Sequence, residues 1–250
     1  MGRNWGSRWL ALSLLGSASV ANADQICADR PGKASATCTA PDGHLQLEVG
    51  LVDWLQHGSS LTIFSTAIKY GVTKRSHVEI DIAPLTRADD EWGFGDVVAR
   101  YKHQLTNEGS AIAVTAYPFV KIPTAKSPIG NRKVEAGLII PVGYSIPGSG
   151  IDLVLGPEID WAANSKGSGH HLGMSQVIGV GGEVARRLSV SAELWGHWDW
   201  DPDGRNQQFS IDGSAAYLVR DDIQLDAGAN VGLNRATPDL ELYAGTSIRF

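Results

Sequence analysis

Apolar and polar residues alternate along the C-terminal end of the chain, with Leu240, Leu242, Ala244, Thr246, Ile248 and Phe250 on one side and Glu241, Tyr243, Gly245, Ser247 and Arg249 on the other. A period of two sends successive side chains to opposite faces of a β-strand. The preceding segment repeats the pattern, setting Ile223, Leu225, Ala227, Ala229, Val231 and Leu233 against Gln224, Asp226, Gly228, Asn230 and Gly232. Further strands are predicted at 45–54, 61–70, 76–84, 95–105, 111–121, 134–144, 151–161, 176–184, 188–198 and 209–219, about twelve in all.

Strands of about 9 to 11 residues suit a tilted crossing of a bilayer. Their connections alternate between short (71–75, 105–109, 145–150, 185–187, 220–222) and longer (85–92, 122–133, 164–174, 199–207). Outer-membrane barrels have short periplasmic turns and longer outer loops, so this rhythm places both chain ends in the periplasm. Aromatics then sort into two girdles, Trp54, Trp92, Trp161 and Trp198 near the long loops and Tyr70, Tyr144, Tyr217 and Phe250 near the short turns, where amphipathic rings favour a membrane interface. The expected fold is an all-β, transmembrane, antiparallel up-and-down β-barrel spanning 44–250. A soluble barrel alternates too, but its solvent face carries more Lys and Glu than these Gly- and Ser-studded faces.

Composition agrees with a lipid-facing surface. Of 250 residues only 19% are charged, against roughly 25% in an average globular protein. Residues 1–23 read as a secretory signal peptide: Arg3 and Arg8, the run from Trp9 to Val20, then Ala21-Asn22-Ala23. Its removal leaves a net charge of about −8, which argues against nucleic acid as a partner. Export would let Cys27 and Cys38 form a disulfide. No CxxC or HExxH occurs, so no metal or cofactor site is expected.

On the barrel reading the inward charged residues are Glu48, Lys69, Glu79, Asp81, Asp96, Arg100, Lys102, Lys121, Glu135, Asp152, Glu158, Asp160, Glu183, Glu193, Asp212, Asp226, Glu241 and Arg249. Acid predominates, so two outcomes stand open: a lining that disfavours anions, or groups that pair across the barrel and plug it. Residues 24–43, with Arg30 and Lys33, either hang in the periplasm or fold into the lumen.

An ordered series, Gly93-Phe94-Gly95-Asp96, Tyr101-Lys102, Lys121-Ile122-Pro123-Thr124, Gly130-Asn131 and the terminal Phe250, resembles the outer-membrane transporter family named for the meta-pathway of phenol degradation. The resemblance runs from His44 onward. It implies a barrel that takes up small, often aromatic compounds, with membrane lipid and solute as its partners, and it brings no catalytic residues. Gly93-Phe94-Gly95 lacks the GxGxxG of a nucleotide loop, and Asp96 is expected to bond nearby backbone or Arg87. His170-His171 is expected in a solvated outer loop. A barrel hydrolase is the alternative function, but no GxSxG supports it. A third is an adhesive barrel, for which the acidic, aromatic loop 198–205 could bind calcium or sugar.

Overall fold

The computed structural model describes residues 26–56, 60–107 and 109–250; the predicted signal peptide lies outside them. Twelve strands form one sheet: β1 (Leu45–Leu55), β2 (Ser60–Ile63 and Ser65–Thr73), β3 (Ser76–Ile82 and Leu85–Ala88), β4 (Glu91–Gly93 and Val97–Gln104), β5 (Ile112–Ile122), β6 (Glu135–Ile139 and Val142–Ile146), β7 (Ile151–Ala163), β8 (His170–Ala185), β9 (Leu188–Asp199), β10 (Asn206–Arg220), β11 (Ile223–Gly232) and β12 (Leu240–Arg249). Each pairs antiparallel with the next, and β12 closes on β1 from Gln46↔Arg249 to Leu55↔Glu241. Closure leaves no unpaired edge, the condition for a sheet to stand in hydrocarbon.

Four strands are interrupted, β4 between Gly93 and Val97 and the other three where the backbone demands it. Phe64 breaks β2 with a φ of 58°. Ala83-Pro84 breaks β3 and Ile140-Pro141 breaks β6, since proline has no N–H to give the ladder. Local bonds bridge both gaps, Gly95 N–H to Ala83 C=O at 2.8 Å and Ile140 N–H to Pro157 C=O at 2.9 Å.

The molecule is inside out relative to a water-soluble protein. Lys69, Lys102, His77, Gln46, Thr115, Ser210 and Ser247 are among its fully buried side chains, whereas Ile68, Val78, Ile80, Leu153, Leu155, Ile178, Leu194, Ile211, Leu225 and Leu242 are exposed. Soluble monomers rarely expose apolar patches beyond a few hundred Å². Here the apolar surface runs around the wall, with Trp54, Trp92, Trp161, Tyr70, Tyr144, Tyr217 and Phe250 also exposed. The fold is that of an outer-membrane barrel.

Two expected loops are corrected. Residues 85–92 are strand except for a turn at Asp89-Asp90, both with positive φ (47° and 67°), a conformation aspartate tolerates. The loop expected at 164–174 ends at Gly169, and β8 starts at His170, opposite Ala163. Gly167 and Gly169 supply the positive φ of a tight turn that Asn164 N–H closes on the Gly169 carbonyl at 3.1 Å.

Residues 26–43 form no strand but fill part of the barrel interior, touching inward side chains of strands on opposite sides. The segment starts at the short-turn end, where Ile26 N–H meets the Asp221 carbonyl at 2.9 Å. It returns to the same end, where Asp42 bridges to Gly71. A Cys27–Cys38 disulfide closes it, with the Cα atoms 5.9 Å apart.

Candidate permeation path

Alternation puts charged side chains of β1 to β5 on the inner face, and the segment 26–43 meets them. Asp29 is the hub: its carboxylate accepts Lys69 Nζ and Lys102 Nζ, each at 2.5 Å, and the Ala36 N–H at 2.8 Å. Burial alone would raise its pKa, but Lys102 and Lys69 more than offset this and hold the carboxyl well below its ordinary 3.8. Glu48 ion-pairs with Lys69 and accepts the backbone N–H groups of Asp29 and Arg30. Glu79 accepts the Tyr117 hydroxyl at 2.5 Å. His77 Nδ1 accepts the Ala40 N–H at 2.9 Å, Gln46 Nε2 donates to the Cys27 carbonyl at 2.6 Å, and Thr115 Oγ1 donates to the Thr37 carbonyl at 2.6 Å.

On the other flank, Arg30 pairs with Asp226 at 2.9 Å. Its guanidinium rests on Gly50 and Gly245, which face each other across the β1–β12 seam; a Cβ on Gly245 would lie 2.6 Å from Arg30 Nε and one on Gly50 3.1 Å from Nη1. At the apex of the segment, Glu193 accepts the N–H groups of Lys33 (2.8 Å) and Ala34 (3.3 Å). A Cβ at Gly32 would stand 2.2 Å from Glu193 Oε1, so any larger residue there would push this carboxylate aside. Lys33 Nζ reaches Glu241 at 3.3 Å and Asp212 at 3.7 Å.

The remaining charges named from the sequence fall outside this contact. Arg100 pairs with Asp81 at 2.5 Å, and Lys121 with Asp96 (3.4 Å) and Glu135 (2.6 Å). Asp96 also accepts the Ala125 N–H at 2.9 Å, the backbone bond expected for it, while Arg87, the expected cation, pairs with Asp90 and Lys121 takes its place. Glu158 and Asp160 sit on β7 opposite Ser175 and Gly173. Arg249 stands opposite Gln46 at the end of the seam.

Opposite the hub the wall is short-chained. Gly181, Gly182, Ser189, Ser191, Ser214 and Ala216, with Asp152 and Glu183, face residues 28–36 across a cavity of about 500 Å³. Pro147, Gly148 and Gly150 of the β6–β7 turn also line it, so it lies at the short-turn end. Ser145 Oγ donates to Asp152 at 2.5 Å, and Ser191 and Ser214 bond each other at 2.6 Å.

The long-loop rim is stitched by its own residues. Asp201 accepts the N–H groups of Asp203 (2.8 Å) and Ser165 (2.7 Å), which lowers its pKa from the ordinary 3.8. His171 Nε2 lies 2.7 Å from Asp199 Oδ1, and His170 stacks on Trp161 with ring centroids 3.5 Å apart. The two histidines therefore belong to β8 and its rim contacts, which corrects the solvated loop expected for them. Among the described residues, no group of three or more His, Cys, Asp or Glu could hold a metal ion.

Several inward residues escaped the sequence reading. Asp29 lies in a segment with no periodicity to orient it. Trp195 faces inward, stacked on His197 at 5.8 Å and covered by Lys33 Nζ at 5.4 Å. Ser175 Oγ and His197 Nδ1 lie 2.9 Å apart, twenty-two residues apart in sequence and joined only by strand register.

A sequence model of the family described as "Putative MetA-pathway of phenol degradation" matches residues 28–250. Among solved structures the chain is similar to an outer membrane channel from Pseudomonas putida F1, with a TM-score of 0.64 at 12% identity over 88% of this chain and 99% of that one. It is also similar to the NanC porin, with a TM-score of 0.58 at 9% identity over 82% and 98%. At these identities the likeness is one of fold. A search of curated proteins found no match.

Proposed function

The chain belongs to the family described by the MetA pathway of phenol degradation, and from that premise we propose that it is a passive outer-membrane channel for small molecules. The observation that carries this reading is the cavity of about 500 Å³ left between the segment 26–43 and the Gly/Ser wall of β8 to β10. That volume falls in the range, roughly 300–1,000 Å³, of sites that take small organic molecules. In this reading the short turns and the chain ends beside them face the periplasm, the side on which outer-membrane barrels carry their short turns. Segment 26–43 is a resident plug that narrows the lumen without filling it.

The solutes are neutral or cationic and include small aromatics. Among the described residues no lysine or arginine forms an ion pair with Glu158, Asp160, Asp152 or Glu183, and a lining with an acidic surplus disfavours anions. The protein is not an enzyme in this reading. Ser175 and His197 touch, but no carboxylate hydrogen-bonds the imidazole among the described residues, and a triad needs that third group.

Reconstitution tests the proposal. Planar bilayers should show a small, steady, cation-preferring conductance, and liposomes should swell with phenol-sized neutral solutes faster than with anions of the same size. Protein that inserts but neither conducts nor supports swelling would sink the channel; an anion-preferring reversal potential would sink the selectivity.

A further inference from the structure

Strand register lines up Glu193, Asp212, Asn230 and Glu241 in one row across β9 to β12, each directly opposite the next. Like charges directly opposed across a strand pair repel, and Glu193 faces Asp212 with no basic side chain of the wall between them. The cation that meets this row comes from the plug. Lys33 Nζ lies 3.3 Å from Glu241, 3.7 Å from Asp212 and 5.4 Å from the centre of the Trp195 ring.

Lys33 does not exhaust the site. Both carboxylate oxygens of Asp212, Asn230 Oδ1, Ser210 Oγ and Tyr243 Oη are buried and make no hydrogen bond, and Asp212, Ser210 and Tyr243 are only 3%, 2% and 8% exposed. Buried polar groups are normally satisfied, so a cluster of unsatisfied ones needs an explanation. A metal ion does not match the site: among the described residues no group of three or more His, Cys, Asp or Glu could hold one. An ammonium group is the matching shape: three N–H donors for carboxylates, with an organic body for the indole face.

We propose that Glu193, Asp212, Asn230 and Glu241, with Trp195, form a binding site for a small organic ammonium ion, and that Lys33 is its tethered occupant. A soluble ammonium entering the lumen competes with Lys33 and frees the tip of the plug. The site adds a cation-specific step to the channel; a channel without it would still conduct, so the two readings fail separately.

The test uses the full chain in detergent, titrated calorimetrically with benzylammonium chloride and, as the neutral isostere, benzyl alcohol. Lys33→Met vacates the site and should bind benzylammonium at least tenfold more tightly than the unaltered protein. Adding Asp212→Asn to that variant should remove the binding, and benzyl alcohol should show none in any form. Heat-modifiable migration on gels verifies that each variant keeps its barrel. A folded Lys33→Met protein that binds benzylammonium no more tightly than the parent overturns the proposal, as does equal binding of the alcohol or survival of binding in the double variant.

Discussion

Two halves of the same lumen differ in how far their side chains reach. On β1 to β5 the inward positions carry Gln46, Glu48, Lys69, His77, Lys102 and Tyr117, long groups that grip the plug. At the short-turn ends of β8 to β10, below the Glu193 and Asp212 contacts, they carry Gly181, Ser189, Ser191, Ser214 and Ala216, which stop short of it. Both halves obey the same alternation and belong to one sheet. Side-chain length at inward positions, rather than the number of strands, therefore decides where a barrel of this size is open.

Removing the plug should break that contrast most completely. Deletion of residues 27–38 takes away the common partner of Glu48, Lys69 and Lys102, and single-channel conductance should rise several-fold; unchanged conductance would mean the plug is not what narrows the lumen. Next comes a block on the open side only. Ala216→Trp fills the cavity from the wall and should cut conductance by more than half while leaving the unfolding midpoint in denaturant unchanged.

Asp29→Asn acts on the gripped side instead. It strips Lys102 of its carboxylate partner at 2.5 Å and should cost about 3 kcal/mol, near the low end for breaking a buried pair, in urea unfolding of the folded barrel. Acid does the same to the native protein. Because the pKa of Asp29 is depressed in the folded state, its contribution is present in full above the unfolded value of 3.8 and is lost as pH falls through the lower folded value. The destabilisation caused by Asp29→Asn should thus be constant from neutral pH down to about pH 4 and shrink only below it; a difference that already fades near pH 6 would remove Asp29 from its place as the hub. The smallest change is Thr115→Val, which loses one hydrogen bond to the Thr37 carbonyl and should cost about 1 kcal/mol with conductance unaltered.

Alternation made the wall readable from the sequence. It oriented Asp226, Asn230, Glu241 and Tyr243 inward and Leu225, Val231 and Leu242 outward because lipid and water ask for opposite chemistry on the two faces of each strand. The plug was not readable in this way. Residues 26–43 have no period, and the two chain stretches in the Asp29–Lys102 contact lie seventy-three residues apart. His170 and His171 were misplaced because glycine turns and strand starts share a composition, and the hydrogen-bond register that separates them leaves no mark in polarity. Trp195 escaped for the converse reason: hydropathy alone would send an indole into lipid, whereas Lys33 and His197 hold it inside.

Arg30 across Gly50 and Gly245 bears on how the barrel closes during biogenesis. Nothing in the antiparallel pairing of the first and last strands by itself prevents them from meeting out of step. A slip of two residues, the smallest that keeps each face correct, would bring Tyr243 or Ser247 opposite Gly50 and leave the guanidinium no flat seat. The seat of Arg30 thereby favours one alignment of the terminal strands over its neighbours.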